Sequence, residues 1–287
     1  ARGLAIADGV VSVLAPGQGL LRYDLSGRPA VPPRVATPDL VALVPAEGGG
    51  LVGVGPGVLV RVDATGATTT VKTTVNDPTA VAQTADGRVV VGTAGGQVVV
   101  FDENLAQVRT IRGFIRVDEL TASPRGADLP DEQVVVVDRA QSSATPVDID
   151  DGSLKPALRA GNGATNATID HFGRVSVANT RDGEIIGFFG SPLVMRFRYP
   201  VPDGPYAVDY DDTREVLWVS TTANNEVVAY DLSGGEPTEK RRFPAVAQPD
   251  SVVVDDRSGT VAVLSARTGE LQLVGADAST DAATPGR

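Results

Sequence analysis

The chain reads as an all-β protein: copies of one four-stranded antiparallel sheet, arranged as the blades of a seven-bladed β-propeller. Three observations predict this. The stretch from Asp77 to Phe114 (DPTAVAQTADGRVVVGTAGGQVVVFDENLAQVRTIRGF) holds four short apolar runs separated by turn residues, the pattern of an up-and-down sheet. The start of that unit recurs at a spacing of about 40 residues, the period of propeller blades. Seven such units account for essentially all of the 287 residues. A six-bladed ring with an unpaired extra segment is the structural alternative.

Each strand can be placed from its own residues. First strands begin in LAIAD (from Leu4), PDLVALV (from Pro38), DPTAVAQ (from Asp77), VDELTAS (from Val117), TNATIDH (from Thr165), GPYAVDY (from Gly204) and QPDSVVVD (from Gln248). Second strands follow a turn as β-branched runs, such as Leu51 to Val54, Val134 to Val137 and Thr260 to Leu264. Third strands end in an aromatic residue or Val followed by Asp, as in Tyr23-Asp24, Val62-Asp63, Phe101-Asp102 and Tyr230-Asp231. That tag weakens at Val147-Asp148 and is lost near Phe188-Phe189. Fourth strands, for example Val108 to Ile111 and Met195 to Tyr199, close the first six units. The seventh stops after three strands, so residues upstream of Ala1 or the small, polar stretch 278–287 are expected to supply the missing outer strand and spare the ring an open edge. The domain is accordingly drawn as residues 1–277, with 278–287 as a tail or closing strand. Unit four carries an insertion, Ser123 to Gln133, and unit one is compact and rich in Gly and Pro. No stretch holds a 3.6-residue apolar stripe long enough for a helix.

Composition narrows the function classes. A formal net charge of −11 argues against nucleic acid or an anionic membrane surface as partner, since both reward basic surfaces. Cysteine is absent, which removes disulfides and thiolate metal sites. No apolar run approaches the roughly 20 residues that span a bilayer as a helix. The chain begins without Met, as a trimmed mature region does, and a targeting segment or lipid anchor upstream is expected.

The segments PTAVAQTADGRVVVGTAGGQVVVFD, PYAVDYDDTREVLWVSTTANNEVVAYDL and PDSVVVDDRSGTVAVLSARTGELQLV resemble the NHL/YVTN-type β-propeller repeats. The shared pattern is Pro-x-x-(Val/Ile)-x-Val-(Asp), a turn, then Val-x-Val-(Ala/Ser)-(Asn/Thr). The chain is also similar to exported bacterial propellers, among them actinobacterial lipoproteins. That resemblance implies an extracytoplasmic, cell-envelope location and a role in binding, and it implies no particular ligand.

In such a ring the starts of the first strands and the loops between second and third strands share one face, where ligands usually bind. The strand starts place Asp39, Asp77, Asp118, Glu119, Asn166, Tyr206 and Asp250 there, and the loops add Arg139, Asn179, Arg181, Asn224, Asn225 and Arg267. Read as a group, they form a polar mouth for a protein or a small polar ligand. Read singly, the Asp and Asn are turn formers that bond the backbone, and the Arg neutralise them. No cofactor is implied. A divalent cation held by Asp39, Asp77 and Asp250, in a lactonase-like metal-dependent hydrolase, is the competing reading.

The only histidine, His171, aligns with the first turn of the unit and falls on the opposite face, as an exposed turn residue. That denies the mouth a Ser-His-Asp or multi-histidine site. Streptogramin-lyase-like propellers rely on more than one His, so the resemblance to that activity fails here. Gluconolactonase-like propellers place a Glu at the start of the first blade, where this chain has Arg2-Gly3-Leu4. Trp218, Phe101 and the group Phe188, Phe189, Phe197 and Tyr199 read as packing between blades. Lys240-Arg241-Arg242 reads as solvated charge on an outer strand. Gly53 to Gly57 is glycine-rich but leads into no helix, which rules out a phosphate loop.

Overall fold

A computed structural model describes residues 3–124 and 133–276. Blade 1 holds β1 (Leu4–Ala7), β2 (Val10–Ala15), β3 (Gly19–Asp24) and β4 (Pro29–Val35). Blade 2 holds β5 (Ala42–Pro45), β6 (Leu51–Gly55), β7 (Val58–Val62) and β8 (Thr68–Lys72). Blade 3 follows with β9 (Pro78–Gln83), β10 (Val89–Thr93), β11 (Gln97–Phe101) and β12 (Gln107–Arg112). Blade 4 is β13 (Glu119–Ala122), β14 (Gln133–Asp138), β15 (Ser143–Asp148) and the short β16 (Leu158–Arg159). Blade 5 is β17 (Ala164–Ile169), β18 (Val175–Asn179), β19 (Glu184–Phe189) and β20 (Val194–Pro200). Blade 6 is β21 (Pro205–Asp211), β22 (Val216–Thr221), β23 (Glu226–Asp231) and β24 (Thr238–Pro244). Blade 7 is β25 (Ser251–Asp255), β26 (Thr260–Leu264) and β27 (Leu271–Val274), three strands among the described residues.

Every sheet is antiparallel and ordered by sequence, so each blade is a meander whose first strand lies innermost. The first strands neighbour one another around the axis, and β25 returns to β1. Seven apolar clusters, one for each junction between blades, mark the same closure. One joins Ala80, Val90 and Ile111 of blade 3 to Leu120 and Val136 of blade 4, and another joins Leu4 and Val11 of blade 1 to Ala262 and Leu264 of blade 7. Neighbouring blades cover both faces of a middle strand, so β6 and β10 are buried throughout and read as unbroken apolar runs. Outer strands face water: β8 is largely exposed and polar, and β20 is largely exposed although Val194 and Met195 are apolar. The six-bladed alternative is not what forms.

The Asp that ends many third strands is turn chemistry. Asp63 Oδ1 accepts from the backbone N–H of Thr65 and of Ala67, each at 2.9 Å, and Asp102 repeats the pattern with Asn104 at 2.9 Å and Ala106 at 2.8 Å. The Thr65 hydroxyl and these backbone donors hold the Asp63 carboxyl below the usual carboxylate range.

The aromatic residues pack as anticipated at Phe101, Phe188, Phe197, Tyr199 and Trp218, while Phe189 is half-buried outside these clusters. Phe101 and Phe188 are buried in inter-blade clusters, and Trp218 meets Phe243 with ring centroids 5.9 Å apart. The basic run on β24 differs from its reading as solvated charge. Lys240 pairs with Asp231 at 2.9 Å and Arg242 with Glu226 at 2.5 Å, because the acids lie on the adjacent β23. Arg241 reaches the carbonyls of Gly275 at 3.1 Å and Ala276 at 2.8 Å, clasping blade 6 to the end of blade 7. Most of the unit-four insertion, and the stretch 278–287 that was one of the two expected sources of the closing strand, lie outside the described residues.

Candidate functional site on the first-strand face

The face that gathers the first-strand starts and the second-to-third loops is built by one recurring bond. The Asp at a strand start caps its own blade's loop: Asp77 Oδ2 accepts from Gly95 N at 2.8 Å, Asp118 Oδ2 from Arg139 N at 3.0 Å and Asp250 Oδ2 from Ala266 N at 3.1 Å. These carboxylates fix the loops and stand in separate blades. Among the described residues, no three His, Asp or Glu side chains are grouped as a metal site requires.

Blades 4 to 6 bring four of the anticipated residues together. Asp118 is buried, takes Arg116 Nε at 2.7 Å, and anchors the loop that carries Arg139. The half-buried Arg139 side chain then crosses to blade 5, where Nε donates to the Thr165 carbonyl at 2.8 Å and Nη2 to Asn166 Oδ1 at 3.3 Å. Asn166 donates from Nδ2 to the Tyr206 carbonyl of blade 6 at 2.8 Å, and the Arg139 guanidinium carbon lies 5.8 Å from the Tyr206 ring centroid. Among the described residues, no carboxylate forms an ion pair with this guanidinium.

Beneath the cluster sits a residue that local sequence reasoning did not single out. Asp138, fully buried at the end of β14, accepts from Ile115 N at 2.9 Å, Arg116 N at 3.3 Å, Ala140 N at 3.0 Å, Gln141 N at 3.2 Å and Gln141 Nε2 at 2.9 Å. It ties the crossing from blade 3 to the Arg139 loop. Its one visible signal is an acid where a Val-rich strand ends.

Glu119 and Asp250, together with Asn166 of the Arg139 cluster, line a small axial cavity of about 140 Å³ whose remaining wall is mostly apolar, including Leu4, Val81 and Leu120. The other anticipated residues lie elsewhere on the face. Asn179 is fully buried: its amide accepts from Gly163 N at 2.8 Å and donates to Asp182 at 2.9 Å and Glu184 at 2.6 Å, so it faces its own turn. Asn224 is exposed and donates to Glu226 at 2.7 Å, and Asn225, at φ 58°, accepts from Gln248 N at 2.7 Å. Arg181 and Arg267 are exposed on their loops. Asp39 stands apart, beside a cleft between blades 7, 1 and 2.

On the opposite face, His171 occupies the first turn of blade 5, but it is half-buried rather than simply exposed. Asp212 of blade 6 accepts from its backbone N–H at 2.9 Å and lies 2.8 Å from Nδ1, and the ring packs 3.8 Å from Phe172 by centroids. The link continues, since Asp256 of blade 7 accepts from Asp212 N at 3.0 Å, while Asp209 accepts from Val254 N at 2.8 Å. Burial in this seam pushes Asp209 up to about 7 and Asp256 up to about 6, with neighbouring carboxylates adding to both shifts. The folded chain therefore holds these protons more tightly than the unfolded chain, and their contribution to stability is present in full below about pH 4 and is lost as pH rises through 6 and 7. Melting temperatures of the wild type and Asp209→Asn, measured from pH 5 to 8, are expected to diverge: the wild type loses stability with rising pH and the variant has the flatter profile. Parallel profiles would contradict this.

No family model matches the chain, and no curated protein matches it by sequence. Solved structures do match by fold. A streptogramin B lyase aligns at a TM-score of 0.75 and 13% identity, covering 96% of this chain and 93% of that one. The hydrazine synthase of Kuenenia stuttgartiensis aligns at 0.77 and 13%, covering 96% of each. BBS1N, solved in complex with ARL6DN, aligns at 0.75 and 12%, covering 98% and 94%. At these identities the likeness speaks to architecture alone, and the architecture is a seven-bladed β-propeller.

Proposed function

We propose that the chain is a non-catalytic binding module of the cell envelope, whose first-strand face holds an acceptor-rich group of a protein or small polar ligand at Arg139, Asn166 and Tyr206. The observation that carries this reading is the guanidinium itself. It is held by two hydrogen bonds and an aromatic ring from two other blades, and has no carboxylate of its own among the described residues. A cation held in place in this way binds a carboxylate or carbonyl without first being ordered, which removes part of the entropy cost of association. A protein partner fits the size of the face, and BBS1N is a propeller of the same fold with a protein partner. The envelope location rests on the resemblance to exported propellers, and fractionation of the native cell, with the protein in the envelope fraction, is its test. The lactonase-like alternative asks for converging acids, and Asp39, Asp77 and Asp250 occupy three separate places.

N-acetylglycine and N-acetylglycinamide serve as probes by NMR titration. The acid is expected to shift the amides of residues 139, 166 and 206, with the amide probe binding more weakly. Arg139→Ala is expected to weaken binding of the acid by about tenfold or more, while costing less than about 1 kcal/mol of stability because the residue is only half-buried. Shifts scattered over the surface, or unchanged in the variant, would sink the assignment.

A further inference from the structure

We infer that a second site lies on the same face, in the cleft between blades 7, 1 and 2, and that it takes a small organic cation with an apolar body and an ammonium head bound by Asp39. The cleft measures about 720 Å³, within the range of small-molecule sites. Its walls include Leu14, Leu40, Val41 and Leu264, and among the described residues Asp39 is the one charged side chain that lines it. Val41 is 42% exposed, so the apolar wall opens to solvent.

Two features of the sequence create this cleft. The second-to-third loop of blade 1 is Pro16-Gly17-Gln18 between Ala15 and Gly19, where blades 4 and 5 carry Arg139 and Arg181. Gly17, at φ 69°, and Gly269, at φ 74°, border open space, with nothing within 4 Å of where a Cβ would stand. Loops that fill this face elsewhere are bare here.

The second feature leaves Asp39 unused. In blades 3, 4 and 7 the Asp at the strand start is capped by an N–H of its own loop. The loop of blade 2 is only Pro56-Gly57. Pro56 has no N–H, and the N–H of Gly57 is spent on the Val75 carbonyl at 2.6 Å. The Asp39 carboxylate is exposed and has no hydrogen-bond or ion-pair partner among the described residues, and the nearby cations Arg34 and Arg267 do not line the cleft. A carboxylate deprived of its structural donor, set against an apolar wall, selects a ligand that joins a positive charge to a hydrocarbon body.

Three probes that share a phenylalkyl body decide the matter: 4-phenylbutylamine, 4-phenylbutanol and 4-phenylbutyrate, titrated at low salt by NMR with the amides of residues 40, 41 and 266 as reporters. The amine is expected to bind about tenfold more tightly than the alcohol and to lose that advantage as salt rises, with the acid weakest. Asp39→Asn should bring amine and alcohol to equal affinity, and Val41→Lys, at an exposed position whose backbone bond to Val54 is kept, should abolish amine binding with the melting temperature unchanged. Equal binding of the three probes, no shift at the reporters, or a preference that survives Asp39→Asn overturns the inference. None of these outcomes touches the reading of the Arg139 cluster, which lies on blades 4 to 6.

Discussion

Asp138→Ala is expected to lower stability by about 4 kcal/mol, a fall of about 10 °C in melting temperature for a chain of this size. The carboxylate is fully buried and satisfies four backbone N–H groups and one side-chain amide. Removing it strands those donors in a place where truncation also leaves a void, and each unsatisfied donor costs about 1–3 kcal/mol before water or local shifts recover part of it. Chemical denaturation of the wild type, Asp138→Ala and Asp138→Asn provides the measurement. The Asn variant keeps one carbonyl acceptor and should fall between the other two. A loss below about 1 kcal/mol for the Ala variant would mean that the loop donors find other partners. Because the same carboxylate underlies the Arg139 loop, the Ala variant is expected to weaken ligand binding as well.

Gly96→Ala comes next, at about 3 kcal/mol. Gly96 has φ 74°, a conformation costing an L side chain about 1–2 kcal/mol, and its Cβ would stand 2.8 Å from the Phe114 carbonyl carbon and closer still to its oxygen. The obstacle is the backbone of the crossing to blade 4, with the Ile115 carbonyl oxygen 3.1 Å away, so no rotamer change relieves it. Since Asp138 accepts from Ile115 N, both substitutions attack one crossing from opposite sides. Their combined effect should fall short of the sum, because neighbouring sites couple. A Gly96→Ala protein that melts like the wild type would show that the crossing yields freely.

What could be read from the chain alone was whatever short segments decide for themselves. Val89 to Val91 make a strand because β-branched residues suit a pleated surface, and Asp102 makes a turn because its carboxylate meets N–H groups two and four residues on. The forty-residue period then counts the blades. The architecture was legible for that reason, down to the three-stranded seventh unit among the described residues. Partners set by neighbouring blades were not. His171 reads as a turn residue until Asp212, some forty positions away, is beside it. Lys240 and Arg242 read as free charge because Asp231 and Glu226 are brought alongside only by strand pairing. Asp39, Asp77 and Asp250 look alike in sequence, and only the donors of their loops separate them.

The small axial cavity has a consequence of its own. Leu4, Val81 and Leu120 face this space of about 140 Å³ from three different blades, alongside the polar Glu119, Asn166 and Asp250. A change at any one of these strand starts therefore alters a wall that the other blades share, so the seven units cannot drift in sequence independently where they meet at the axis.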